Sequence, residues 1–206
     1  MLRAQPPTHR PIWMVVLAAT MLLSGGLTLV GGLLMVRDPL SVEMRALHRV
    51  ASAPAAEEAL KKVEPILREI HERHRVGLRV DAIASIALGL FTLYAVAAVL
   101  SRDRNGRRLA LLTAVFGIVY QLGELPLSIQ MSREFLAAAG PLLAEITSAG
   151  GEAAGRSQTG LVATLDAAGA RALLSTAVGV GWCALLLVYF GGPRGRELYG
   201  LPRRPS

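Results

Sequence analysis

The carboxylate of Glu124 lies in the segment YQLGELPLSIQ, residues 120–130, within an otherwise apolar stretch of the chain. Counting about 1.5 Å per residue from Leu109 places it about 22 Å along a helix, about 8 Å from the outer edge of a bilayer core about 30 Å thick. An ionisable side chain at such a depth is costly, faces other helices or water, and indicates a functional site by default. Glu124 could transfer a proton or bind a cation, and a structural hydrogen bond is the alternative.

The same count along the other apolar segments predicts small polar residues at the depth of Glu124. These are Thr28, Ser85 and Ser175, and Gln121 lies one turn before Glu124 on its own segment. Together the five residues would form an intramembrane polar layer, in which hydroxyl and amide groups hydrogen-bond the carboxyl group.

Three charged residues are predicted at the outer mouth of this layer: Arg79, Asp81 and Arg171. Either arginine could form an ion pair with Glu124 about one helical turn away. A proton or ion pathway needs ionisable groups at several depths, whereas the inner halves of the apolar segments contain no Asp, Glu, His, Lys or Arg. A structural role for Glu124 is therefore favoured over transport.

His71 and His74, in EIHERHR, have the spacing at which two histidines on one helix can bind a metal. A zinc site needs three or four converging ligands, so we predict no metal here and favour a solvated helix face. His74 also falls on an apolar stripe, where a packed or pH-responsive contact is the alternative. No nucleophile–base pair or carboxylate dyad is placed by local spacing, so we predict no catalytic residue and no cofactor, and an enzyme is disfavoured.

Four apolar segments must position these residues. Hydrophobic residues make up 52% of the 206 residues and charged residues only 18%, a ratio typical of membrane proteins. Each segment has the length of about 20 residues that a helix needs to cross the hydrocarbon core. We predict transmembrane helices at residues 12–36, 78–100, 109–131 and 172–191. The first begins like a signal peptide, but its length and the lack of an A-x-A-like site favour an uncleaved helix.

The net charge of +7 arises in three short segments. Residues 1–11, 101–108 and 192–206 together contain ten arginines and two acidic residues, whereas the two long connections are nearly neutral. The positive-inside rule therefore predicts that the N-terminal lead, the basic loop and the basic tail are cytoplasmic. The protein would be a multi-pass protein of the cell membrane in contact with the lipid bilayer, and a nucleic-acid partner is disfavoured.

The two long connections, residues 37–77 and 132–171, are predicted to lie outside, the second with a turn near residues 149–159. In the first, Leu60, Val63, Leu67 and Ile70 recur at helical spacing and form a narrow apolar seam. Such a seam on a charged helix is rarely stable alone. It would pair with the second connection, or contact a protein partner or another copy of the chain.

The sequence therefore predicts an all-α integral membrane protein, built as an antiparallel bundle of four transmembrane helices with helical extramembrane extensions. Two functional hypotheses remain open. The first is a non-enzymatic assembly, scaffold or regulatory subunit that acts through its outer helices. The alternative is a small transporter or channel subunit that uses Glu124.

Overall fold

The computed structural model describes residues 12–37, 40, 54–101, 103, 105–149 and 173–199. These residues are almost entirely helical and contain no strand, which confirms the all-α prediction. The helices are α1 (Ile12–Arg37), α2 (Pro54–Arg73), α3 (Arg75–Leu100), α4 (Gly106–Ala149), α5 (Leu173–Gly191) and α6 (Pro193–Leu198). The predicted N-terminal lead, most of the turn near 149–159, and Arg171 lie outside the described residues.

Four of the described helices are long and apolar enough to cross a membrane. Their apolar stretches are Ile12–Arg37, Arg75–Leu100, Gly106–Leu142 and Leu173–Gly191, which overlap the four segments predicted from sequence. The third helix continues past residue 131 into the second long connection, which was itself predicted to be helical. α4 continues for 44 residues and passes through Pro126 and Pro141, each of which removes one helical hydrogen bond without ending the helix.

α2 and α3 form a nearly continuous helix around His74. The backbone N–H of His74 donates to the carbonyl of Ile70 at 3.0 Å, and the N–H of Leu78 donates to the carbonyl of His74 at 3.0 Å. Helical hydrogen bonding therefore continues across the boundary between the two helices. The charged helix of the first long connection therefore runs directly into the second apolar segment.

The chain divides into two compact units. The first unit comprises Met1–Gly32, Ala84–Gln121 and Ala177–Ser206, and the second comprises Leu33–Ile83 and Leu122–Thr176. The core of the first unit includes Met14, Met21, Val99, Leu186 and Phe190, all nearly fully buried. The core of the second unit consists of Val63, Leu67, Ile70, Phe135 and Ala139.

Glycines allow close helix contacts in the first unit. A Cβ atom built on Gly89 of α3 would lie 2.7 Å from the backbone nitrogen of Leu29 in α1. A Cβ atom on Gly117 of α4 would lie 2.6 Å from the sulfur of Cys183 in α5. Small residues at such crossings are typical of helices that pack in membranes, because packing there depends on close van der Waals contact.

Candidate functional site

An ionic cluster around Glu134 joins α4 to the end of α2 in the second unit. Glu134 Oε1 accepts a hydrogen bond from Gln130 Nε2 at 3.1 Å and lies 3.0 Å from His74 Nε2. Glu134 Oε2 lies 3.3 Å from Arg73 Nη1, and a second nitrogen of Arg73 lies 3.0 Å from Glu69. We call Glu134, His74, Arg73 and Gln130 the Glu134 cluster.

Helical spacing positions each group of the Glu134 cluster. Gln130 and Glu134 are four residues apart on α4, so their side chains are neighbours on one helix face. Glu69 and Arg73 have the same spacing on α2. His74 follows directly after α2, and its ring crosses to α4, so the cluster connects two elements that are distant in sequence.

The contact between His74 and Glu134 is the more buried of the two contacts that Glu134 makes with α2 and the residue after it. The His74 side chain is 12% exposed and that of Glu134 is 25% exposed, whereas the side chain of Arg73 is 57% exposed. A neutral imidazole can donate one hydrogen bond to the carboxylate, and a protonated imidazole adds a charge–charge attraction. The exposed Arg73 contributes less, because water screens its charge. The contact between His74 and Glu134 therefore contributes more than the exposed Arg73 to the packing of α2 on α4.

The predicted apolar seam lies in the core of the second unit. Val63, Leu67 and Ile70 are 4%, 6% and 4% exposed, and they pack with Phe135 and Ala139 of α4. α4 covers the seam because it continues beyond residue 131, the predicted end of the third span, with apolar residues at helical spacing. These three residues are thus not exposed to a partner, and pairing within the chain is the arrangement observed. The side chain of Leu60 lies outside the described residues.

Residues of the predicted polar layer belong to both units. Thr28, Ser85 and Gln121 are in the first, and Glu124 and Ser175 are in the second. Ser175 is exposed, and Glu124 is half-buried. Counting along a helix gives the height of a residue but not its direction, which is why residues predicted at one height differ in burial.

The residues of the predicted polar layer that belong to the first unit make defined contacts. Ser85 is 5% exposed, and its Oγ lies 2.6 Å from the hydroxyl oxygen of Tyr120. The hydroxyl of Thr28 donates to the backbone carbonyl of Ser24 at 2.8 Å. The amide group of Gln121 lies against α5. A Cβ atom built on Gly179 of α5 would lie 2.7 Å from the amide carbon of Gln121. Tyr120 is a partner in this layer that the height count did not include.

The predicted outer-mouth charges differ in exposure. Arg79 is exposed and Asp81 is half-buried, both on α3 in the second unit. Arg171, the third member of this group, lies outside the described residues.

The two histidines make contacts within the protein. His71 is 7% exposed, and its Nδ1 lies 2.9 Å from the carbonyl oxygen of Leu67. His74 faces Glu134 through Nε2. In the part of the chain that the structure describes, no group of three or more His, Cys, Asp or Glu residues could hold a metal ion.

Comparison with protein families, curated proteins and solved structures finds no match to this chain. Function must therefore be inferred from the chain's own residues. Glu134 is the candidate that the sequence patterns did not single out. Three features of the sequence point to Glu134. Gln130 and Glu134 are four residues apart, Phe135 and Ala139 extend the third apolar segment, and His74 falls on the apolar stripe of α2.

Proposed function

We propose that this chain is a multi-pass protein of the cell membrane, with both termini cytoplasmic, that serves as a non-enzymatic assembly or regulatory subunit through its outer helices. The main observation that supports this proposal is the length of α4. Its 44 residues span about 66 Å, more than twice the hydrocarbon core of about 30 Å. The surplus is long enough to form a separate helical pair with α2, and this pair has its own apolar core and the Glu134 cluster.

Contacts in the first unit support an antiparallel arrangement of neighbouring helices. The residue pairs are Gly25–Thr92 and Leu29–Gly89 for α1 with α3, Phe91–Phe116 and Ser85–Tyr120 for α3 with α4, and Gly117–Cys183 and Gln121–Gly179 for α4 with α5. In each case the residue number rises on one helix as it falls on the other. The connection between α3 and α4, residues 101–105, is short, which favours the antiparallel order of that pair.

Exposed apolar side chains support insertion of the four long helices into a bilayer. Leu23, Val80, Val119 and Val188 are 67%, 62%, 63% and 76% exposed, one on each of the four helices. Burying such side chains in hydrocarbon removes them from water, which is favourable. The hydroxyl of Thr113, for example, donates to a carbonyl of its own helix at 2.9 Å, as a polar group in an apolar medium requires.

The exposed surface of α2 is the part available to a protein partner, because α4 covers the apolar surface. Glu64, Arg68, Glu69 and Glu72 have side chains between 41% and 73% exposed, and with Pro65 they line a shallow groove. Each of the three carboxylates lies within 4 Å of an arginine on the same face, Glu64 of Arg68, Glu69 of Arg73 and Glu72 of Arg75, so the surface carries exposed ion pairs. Because exposed ion pairs contribute little stability, basic side chains of another membrane protein would replace these arginines as partners of the carboxylates.

Site-specific photo-cross-linking in native membranes tests this proposal. A photoreactive residue at position 68 should give a discrete adduct of defined mass, and the same residue at position 188, on the apolar surface of α5, should give lipid adducts only. The double variant Glu69→Lys, Glu72→Lys should lose the discrete adduct through charge repulsion. Identical products at positions 68 and 188, or an adduct that survives the charge reversal, would contradict the assembly role.

The second candidate function is a small transporter or channel subunit that uses Glu124. The supporting observation is an acidic, half-buried side chain within the apolar stretch Gly106–Leu142. The proposal predicts a flux of protons or cations in proteoliposomes that is lost in Glu124→Gln and kept in the matched loop variant Asp103→Asn. Equal flux in the two variants, or no flux in the unmodified protein, would count against it.

A further inference from the structure

One side of α3 in the first unit is exposed, whereas its other side packs on α1 at Gly89. We call the exposed residues Ala87, Leu90, Tyr94 and Ala97 the α3 face. Leu90 is 54% exposed and Tyr94 is 62% exposed. Steps of three, four and three residues align the α3 face along the helix, which is the spacing that paired parallel helices use for their contact.

The hydroxyl of Tyr94 lies deep along α3. Tyr94 is six residues before Leu100, the nearer end of the helix, which corresponds to about 9 Å along the axis. Helical side chains lean toward the N-terminus of their helix, so the hydroxyl lies farther from Leu100 than the backbone of Tyr94 does. With α3 inserted as proposed above, the hydroxyl is in the hydrocarbon and not in the interfacial belt where tyrosines usually meet water. Lipid tails provide no hydrogen bond, so this hydroxyl requires a partner from a protein.

Other hydroxyls of the first unit have partners within the chain. Thr92 Oγ1 donates to the backbone carbonyl of Leu88 at 2.7 Å, and the hydroxyl of Tyr120 lies 2.6 Å from Ser85 Oγ. The ring of a tyrosine holds its hydroxyl too far from its own backbone for the bond that Thr92 makes. Within the described ranges, no hydrogen bond is formed by the hydroxyl of Tyr94.

We propose that two copies of this chain pair through their α3 faces, with Tyr94 of one copy opposite Tyr94 of the second. Two copies inserted in the same direction are related by a two-fold axis along the membrane normal, the commonest symmetry of protein dimers. This axis places the two Tyr94 side chains at the same depth. A phenolic hydroxyl is both donor and acceptor, so one Tyr94 can donate to the other.

A second copy is the occupant that the α3 face specifies. Another protein would have to supply an acceptor at the depth of Tyr94, whereas a second copy supplies it by symmetry. Ala87 and Ala97 are small enough for two backbones to approach closely on either side of the tyrosines, as paired membrane helices require. The pairing rests on the proposed membrane insertion and does not involve the surface of α2.

Cysteine cross-linking of the full-length chain in native membranes tests the pairing. In a Cys183→Ala background, Ala97→Cys places one thiol on the α3 face, and oxidation with copper phenanthroline should give a product of twice the mass. Val188→Cys is the matched control. Val188 is 76% exposed and lies three residues before the end of α5, as Ala97 lies three residues before the end of α3. This control should stay monomeric.

Energy transfer between labelled copies in phosphatidylcholine vesicles measures the contribution of the hydroxyl. Tyr94→Phe should weaken the dimer about threefold to tenfold, the range expected for one hydrogen bond between membrane helices. Leu90→Ala should also weaken the dimer. Leu185→Ala, at a position 49% exposed on α5, should leave it unchanged.

Three results would overturn the pairing. Equal products from Ala97→Cys and Val188→Cys, or no product from either, would assign the α3 face to lipid. A product of another mass would assign it to a different protein, and a Tyr94→Phe dimer as tight as the unmodified one would contradict the role of the hydroxyl. Flotation with the vesicles reports insertion separately. Inserted protein that stays monomeric contradicts the α3 pair alone, and protein that does not float contradicts the proposed membrane location.

Discussion

The contact between α1 and α3 at Gly89 predicts a graded effect of adding single methyl groups. A Cβ atom on Gly89 would lie 2.7 Å from the nitrogen of Leu29 and 2.9 Å from the oxygen of Gly25, and these backbone atoms cannot swing aside. Ordinary contact begins near 3.4 Å, so the helices would have to separate by about 0.7 Å. A Cβ atom on Gly25 would meet the side chain of Thr92 at 2.9 Å, whereas one on Gly26 would meet nothing within 4 Å.

We therefore expect Gly89→Ala to be the least stable variant and Gly25→Ala to be intermediate, with Gly26→Ala at least as stable as the unmodified protein. Overpacking costs about 1–3 kcal/mol, and the better helix propensity of alanine offsets about 1 kcal/mol. The net loss of unfolding free energy for Gly89→Ala should be up to about 2 kcal/mol, and the loss relative to Gly26→Ala about 1–3 kcal/mol. Reversible unfolding in mixed micelles, followed by circular dichroism, measures it. A Gly89→Ala protein as stable as Gly26→Ala would refute the close packing of α1 on α3.

Three further predictions concern the described contacts. Glu134→Gln should lower the unfolding free energy, because His74 and Arg73 lose a carboxylate partner, and hydrogen exchange of α2 should increase; unchanged exchange would contradict the role of the cluster. Ile70→Ala should cost about 2–5 kcal/mol by leaving a cavity in the second core, whereas Val76→Ala, at a position 77% exposed, should cost little in the same unfolding assay. A double-mutant cycle of Ser85→Ala with Tyr120→Phe should give a coupling free energy of about 0.5–1.5 kcal/mol, and additive losses would contradict their hydrogen bond.

The four long helices could be predicted from sequence because length and apolar composition are sufficient signals for them. The seam on α2 was also predictable, since Val63, Leu67 and Ile70 recur at helical spacing. Periodicity shows that one helix face is buried but does not show what covers it. The helical spacing of Phe135 and Ala139 indicates that the third helix continues outward, but it does not show that these two residues pack on the seam of α2.

The Glu134 cluster could not be predicted from local spacing. Its central contact joins His74 and Glu134, which are 60 residues apart in sequence. The polar layer was only partly predictable for a related reason. A rise of about 1.5 Å per residue fixes height, whereas the rotation of about 100° per residue fixes direction, and small errors in a helix boundary change that direction. Ser85 is accordingly buried, and Ser175 is exposed.

Cysteine accessibility tests most directly whether α2 and the loop after α3 lie on opposite sides of a membrane. Cys183, the chain's single cysteine, is 8% exposed, and Cys183→Ala gives a cysteine-free background. Arg68→Cys and Asn105→Cys then place one thiol on each exposed region. In sealed right-side-out vesicles, a membrane-impermeant maleimide should label position 68 at once and position 105 only after permeabilisation. Immediate labelling of both positions, or of position 105 alone, would contradict the proposed topology.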